Sequence, residues 1–138
     1  MNSLIKTEPW HVGILGPGDM IDTSNLANIC LTSKGITLMD DETPIAVCGI
    51  STVHPGVGEL WSMLSDRAKA KPLLLHKLSI KVVASFELAN LFHRIQCVVK
   101  ADDDMANKWI QSLGFVSEGI MIVFGSDKSD YVRYARVR

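Results

Sequence analysis

The sequence predicts an α/β fold: a mixed central sheet flanked by helices, made of an antiparallel meander, a parallel pair that splays apart, and a C-terminal hairpin. Three observations predict it. Three apolar, β-rich runs follow one another across short turns, at Gly35 to Asp40, Ile45 to Val53 and Glu59 to Ser65. A long stretch of helical periodicity then separates the third run from the next strand, Arg94 to Lys100. That crossover sets the two strands parallel. Finally, the segment DDDMANKWIQSLGF, Asp102 to Phe115, reads as an acidic helix start, an amphipathic helix, a glycine stop and the start of another strand.

Taken in order, Trp10 to Leu15 carries Val12, Ile14 and Leu15 and suits a short strand, broken by Gly16, Pro17 and Gly18. Asp19 to Ser33 has a partial helical stripe through Met20, Ile21, Leu26, Ile29 and Cys30. Residues 1–34 carry the weakest pattern within an expected single domain, 1–138. The three meander strands are joined by turns at Asp41 to Pro44 and His54 to Gly58. Asp66 to Lys71 reads as a basic loop. Pro72 suits the first position of a helix. Leu74, Leu75, Leu78, Val82, Phe86 and Ala89 continue that helix to Phe92, about 20 residues and about 30 Å.

In the organising segment, Asp102, Asp103 and Asp104 suit the positive helix start. Met105, Trp109, Ile110 and Leu113 form its stripe, and Gly114 suits a left-handed cap. The hairpin pairs Phe115 to Phe124 with Tyr131 to Val137 across the turn Gly125 to Asp130.

Composition narrows the function. Of 138 residues, 47% are hydrophobic and 21% charged, which supports a packed core. A net charge of −1 and a pI near 6.4 do not favour nucleic acid or an anionic membrane. No run reaches the ~20 apolar residues of a membrane span, and the N-terminus lacks the basic-then-apolar order of a signal peptide. Cys30, Cys48 and Cys97 have no metal spacing and read as small buried apolar residues. His76 and His93 likewise lack ligand spacing, so no metal is expected.

The element order, with its second helix ending in LGF before a terminal hairpin, resembles the GNAT superfamily of N-acetyltransferases from Gly35 to Arg138. Ala106, Leu113, Gly114 and Phe115 match the superfamily's segment, and Asp103 stands at its asparagine position. Trp61, Pro72 and Trp109, with WIQSLGF, resemble more narrowly the small GNAT-like proteins of short-tailed bacteriophages, some of them internal virion proteins.

The resemblance implies acetyl-CoA as a possible cofactor and assigns residues to it. The backbone of Met63, Leu64 and Ser65 would pair with pantetheine. Arg67, Ala68, Lys69, Ala70 and Lys71 occupy the pyrophosphate loop, and Asp103 joins that set. Such a loop works through successive free N–H groups, with glycines that let the phosphate approach. Here Ala70 and Pro72 stand at the glycine positions, and proline has no N–H.

The general acid of the superfamily, a tyrosine, falls at Ile110. Tyr131 and Tyr134 are the tyrosines present, and Ser112 is a poor acid. Glu59 and His54 are the candidate bases by type; each also suits an ordinary solvated position. Lys128, Arg133, Arg136 and Arg138 read as a basic C-terminal edge, either a charged edge that blocks strand pairing or a docking surface for DNA or another virion protein.

The expectation is therefore a GNAT-like phage protein with a degraded acetyl-CoA site. It would act in the virion or host cytoplasm on another phage or host protein, with self-association as a further possibility. The alternative is an active acetyl-CoA-dependent N-acetyltransferase.

Overall fold

The computed structural model describes residues 2–8, 34–88 and 90–138. They form β1 (Asn2–Lys6), β2 (Lys34–Asp40), β3 (Thr43–His54), β4 (Gly56–Leu64), α1 (Asp66–Lys69), α2 (Pro72–Leu88), β5 (Phe92–Lys100), α3 (Asp104–Ser112), β6 (Val116–Met121) and β7 (Tyr131–Val137). The strand predicted at Trp10 to Leu15, the helix at Asp19 to Ser33, and Cys30 lie outside the described residues.

The seven strands make one sheet in the order β1-β2-β3-β4-β5-β7-β6. Every neighbouring pair is antiparallel except β4 and β5, which run parallel as the long crossover requires. The expected mixed sheet is thus present.

Its details differ from the sequence reading in four places. β1, which the sequence pattern did not announce, pairs with β2 at one edge. The turn expected at His54 to Gly58 is tighter, because β3 runs to His54 and β4 begins at Gly56. Gly56 makes this turn at φ +84, where a side chain would be strained. The residues read as a basic loop form α1. Lastly, α2 ends at Leu88 rather than Phe92. Asn90 adopts φ +54, a left-handed conformation that stops a helix, and Phe92 opens β5.

α2 and α3 pack on the same face of the sheet. Val82, Val83 and Phe86 of α2 and Ile110 and Leu113 of α3 close over Ile50, Ile95, Cys97 and Tyr134. Each large side chain buried there contributes roughly 1.5–3 kcal/mol. A second cluster joins Leu38, Ile45, Ala46 and Ala68 with Leu64 and the first turns of α2.

The expected stops of α3 are observed. Asp103 Oδ1 accepts from Ala106 N at 3.0 Å. At the other end Gly114, at φ +89, donates to Gln111 O, and Phe115 N donates to Ile110 O, a Schellman closure. Met105, however, is 80% exposed, so the buried stripe of α3 is Ile110 and Leu113.

Gly58 sits where β4 meets β5. A Cβ there would lie 2.5 Å from Ile50 Cδ1 and 3.0 Å from Phe92 Cδ1, both in buried side chains. Gly58→Ala should therefore cost about 1–3 kcal/mol through overpacking, read as a lower urea midpoint. An unchanged midpoint would show that Ile50 and Phe92 move aside freely.

Candidate functional site

The parallel ladder between β4 and β5 ends at Glu59↔Gln96. Beyond it β4 continues to Leu64, held on its outer side by β3, and β5 continues to Lys100, held by β7. No described strand pairs with the inner edges of residues 60–64 and 97–100. The two strands part into a V whose edges carry backbone N–H and C=O groups, which an extended ligand chain could pair with.

The faces of the V differ. On the helix face, Ser62 and Leu64 of β4 line a cavity of about 50 Å³ with Cys48, Leu75, Leu78 and Trp109. That volume equals a few waters, but its lining is almost wholly apolar. On the opposite face Glu59, Trp61 and Met63 alternate along β4. Trp61 Nε1 is buried with no hydrogen-bond partner among the described residues.

Both carboxylate oxygens of Glu59 accept from Arg133 Nη1, at 2.9 and 2.8 Å. This ion pair reaches from β7 across β5 to the point where the strands part. His54 lies at the exposed end of β3, paired with Val57 near the start of β4. The V opens at the other end of that strand.

The segment after β4 departs most from the sequence reading. Ser65 caps α1: its Oγ accepts from Ala68 N at 3.2 Å and donates to Ile45 O at 2.7 Å. Lys69 N donates to Ser65 O, Ala70 N to Asp66 O and Lys71 N to Ala68 O, at 2.9–3.0 Å. Four successive amides are thus spent inside the turn, and Pro72 offers none. The fully buried Ala68 anchors the turn to the core. Arg67 Nη2 sits 2.6 Å from Asp40 Oδ2, and Lys71 Nζ is 3.5 Å from the same oxygen. Lys69 remains exposed. An anion cradle needs free amides and uncommitted charge; here four amides are bonded within the turn and two of the cations face Asp40.

On α3, Ile110 is buried in the core, and Asp103 is occupied as the helix cap. Tyr134 is also buried, but its hydroxyl is engaged. It donates to Asn107 Oδ1 at 2.7 Å and accepts from Gln111 Nε2 at 3.1 Å. Tyr131 is buried and stacks edge-on against Phe124. Ser112 Oγ donates to Trp109 O.

Sequence reasoning missed Asp40, Asn107 and Gln111. The last two are polar residues four apart on a helix that faces the sheet, which was a readable signal. Asp40, distant in sequence from Arg67, gave none.

The basic C-terminal edge is also corrected. β7 lies between β5 and β6 and is not an edge. Arg133 is committed to Glu59. Arg136 Nε is 2.6 Å from Glu87 Oε1, and its Nη1 donates to Leu113 O. Arg138 donates to the carbonyl of Glu87. These arginines tie β7 to its neighbours. β7 has a neighbour on each side, so the first role expected of them, guarding an open edge, does not apply.

No family model matches the sequence, and no curated protein matches it. Solved structures do match its fold. IAA acetyltransferase from Bacillus cereus ATCC 14579 superposes with a TM-score of 0.82 over 100% of both chains, at 12% identity. The acetyltransferase of GNAT family from Streptococcus pneumoniae gives 0.78 over 100% of both, at 13%. A mutant form of spermidine N-acetyltransferase SpeG from Vibrio cholerae gives 0.77 over 99% of this chain and 93% of that one, at 15%. The chain has the GNAT acetyltransferase fold. At such identities the likeness concerns the fold alone. Among the described residues no helix is long and apolar enough to cross a membrane.

Proposed function

We propose that this GNAT-fold chain has lost its acetyl-CoA phosphate cradle and acts through its surface, as an internal virion or host-interaction component of a short-tailed bacteriophage. The carrying observation is α1. Where the fold would present free amides to a pyrophosphate, Ser65 to Lys71 closes a capped helical turn, with Arg67 and Lys71 held by Asp40. Ile110, buried in the core at the position of the general acid, supports the same reading. The phage assignment rests on Trp61, Pro72 and the WIQSLGF segment.

A second reading, an active N-acetyltransferase, is favoured by the parted β4 and β5. The backbone of residues 60–64 is available on that side whatever its side chains, and Glu59 stands at the fork. Positioning a thioester beside an amine supplies much of such a rate. On this second reading, binding rests on the backbone of the V, since Ser65 to Lys71 does not fit the cofactor's phosphates.

Thermal unfolding with and without millimolar acetyl-CoA separates the readings. A ligand at ~100 times its Kd stabilises by about 2.7 kcal/mol, several degrees in Tm for this size. The proposal expects no shift; a rise of several degrees overturns it in favour of the enzyme. Its phage half predicts the chain in purified particles or in complex with a host protein during infection. Absence from both would remove that half.

A further inference from the structure

α2 is covered on one side only. Val82, Val83 and Phe86 close on the sheet. On the opposite side Leu73, Lys77, Ile80, Lys81 and Ala84 are exposed. A helix on a protein surface ordinarily turns charged and polar residues outward, yet here Leu73 is 78% exposed and Ile80 50%. Leu73, Lys77, Ile80 and Ala84 recur at spacings of four, three and four, the seam of a helix that packs lengthwise on another. The seam runs for about 16 Å, or roughly three turns.

The charge on this face is unmatched. Among the described residues Arg67, Lys71, Arg94, Lys100, Arg133 and Arg136 each meet a carboxylate, whereas Lys77 and Lys81 meet none. These two lysines stand four apart, a spacing at which like charges repel along a helix. The carboxylate of α2, Glu87, lies beyond them and faces Arg136.

We infer that the outward face of α2 docks an acidic helix of another protein, with an apolar seam that covers Leu73 and Ile80 and carboxylates that meet Lys77 and Lys81. This rests on the reading above, of a chain that acts through its surface. A single occupant of that chemistry relieves both the exposed apolar seam and the repelling lysines. Other occupants fit worse. A second copy laid on this face by a two-fold axis would gather four lysines at one contact. A bilayer surface needs a wider apolar face than two large side chains give. A nucleic acid strand is held by stacking on exposed rings, and this face carries no aromatic residue.

Fluorescence anisotropy with two synthetic peptides tests it. One is a helical peptide with leucines at spacings of four and three flanked by glutamates; the other has glutamines in place of the glutamates. The wild type should bind the glutamate peptide at least about fivefold more tightly, as two exposed ion pairs allow. Lys77→Glu/Lys81→Glu should abolish that preference. Leu73→Ser should weaken binding of both peptides. Tm should not change in either variant, because these side chains point to solvent. Binding of neither peptide up to millimolar concentration, or equal binding of both, overturns the inference. So does tighter, lysine-dependent binding to vesicles of phosphatidylcholine and phosphatidylglycerol, which would make a membrane the partner. Acetyl-CoA enters none of these measurements, so a failure here leaves its thermal test, and the reading which that test decides, untouched.

Discussion

Tyr134→Ala should lower stability by about 3–5 kcal/mol, a fall in Tm of roughly 10–20 °C. Three roles of this residue meet at one point. Its ring is 2% exposed and packs in the main core with Cys97, its cross-strand partner, and with Ile110 of α3. Its hydroxyl is the hub between Asn107 and Gln111, and so it joins β7 to α3. Asn107 in turn donates to the carbonyls of Lys100 and Asp103, which fixes the start of the helix. Alanine would remove the ring contacts, leave a cavity and free one face of α3.

Tyr134→Phe should cost only about 1 kcal/mol, because Asn107 and Gln111 are near the surface and can turn to water. Chemical denaturation of the two variants checks both figures. If phenylalanine proved as costly as alanine, the hydrogen-bonded hub would matter more than the packing. If alanine cost under about 1 kcal/mol, α3 would be held by something other than this residue.

Much of the architecture was readable because its causes are local. The aspartates and Gly114 fix both ends of α3, and a crossover of 27 residues, 65–91, leaves the next strand parallel to the last. What escaped reading is non-local. The amide bonding of α1 depends on Ser65 reaching back to Ile45 O and on Asp40 gathering Arg67 and Lys71. Nothing between residues 66 and 71 announces either contact. For the same reason the cations there looked free when two of them are paired. The arginines of β7 looked like an edge because sequence order suggests that the last strand is outermost. β7 in fact inserts between β5 and β6; Arg133 finds its partner across the sheet, and Arg136 and Arg138 find theirs on the helices. Among the candidate site residues, Met63, Ser65 and Glu59 stand at or beside the V, while His54 lies at the far end of the meander. A residue type suited to catalysis says little until the topology decides which end of a strand it occupies.

Alkaline pH should unfold this protein through its thiols. Burial pushes Cys97 up to about 12, helped by the negative charge of Glu59, and burial alone pushes Cys48 up to about 12. What surface Cys48 keeps faces the cavity under α2. In the unfolded chain a thiol ionises near pH 8.5–9. Below that pH both states hold the proton, and the thiols leave stability untouched. Between about 9 and 12 the unfolded chain releases protons that the folded chain keeps. Each thiol then favours unfolding by up to about 1.4 kcal/mol per pH unit.

Two thiols together remove on the order of 2–3 kcal/mol per unit, against a total stability of about 5–15 kcal/mol. Cys48 can relax toward its cavity, so Cys97 should account for the larger share. Lysines and tyrosines titrate in the same range, so the decisive quantity is a difference. Urea unfolding from pH 8 to 11.5 should show a steeper loss for wild type than for Cys48→Ala/Cys97→Ala. Equal slopes would mean that the thiols reach solvent in the native state. In that case, in a Cys30→Ala background, a thiol reagent at pH 8 would label Cys97 without unfolding; its burial predicts that it does not.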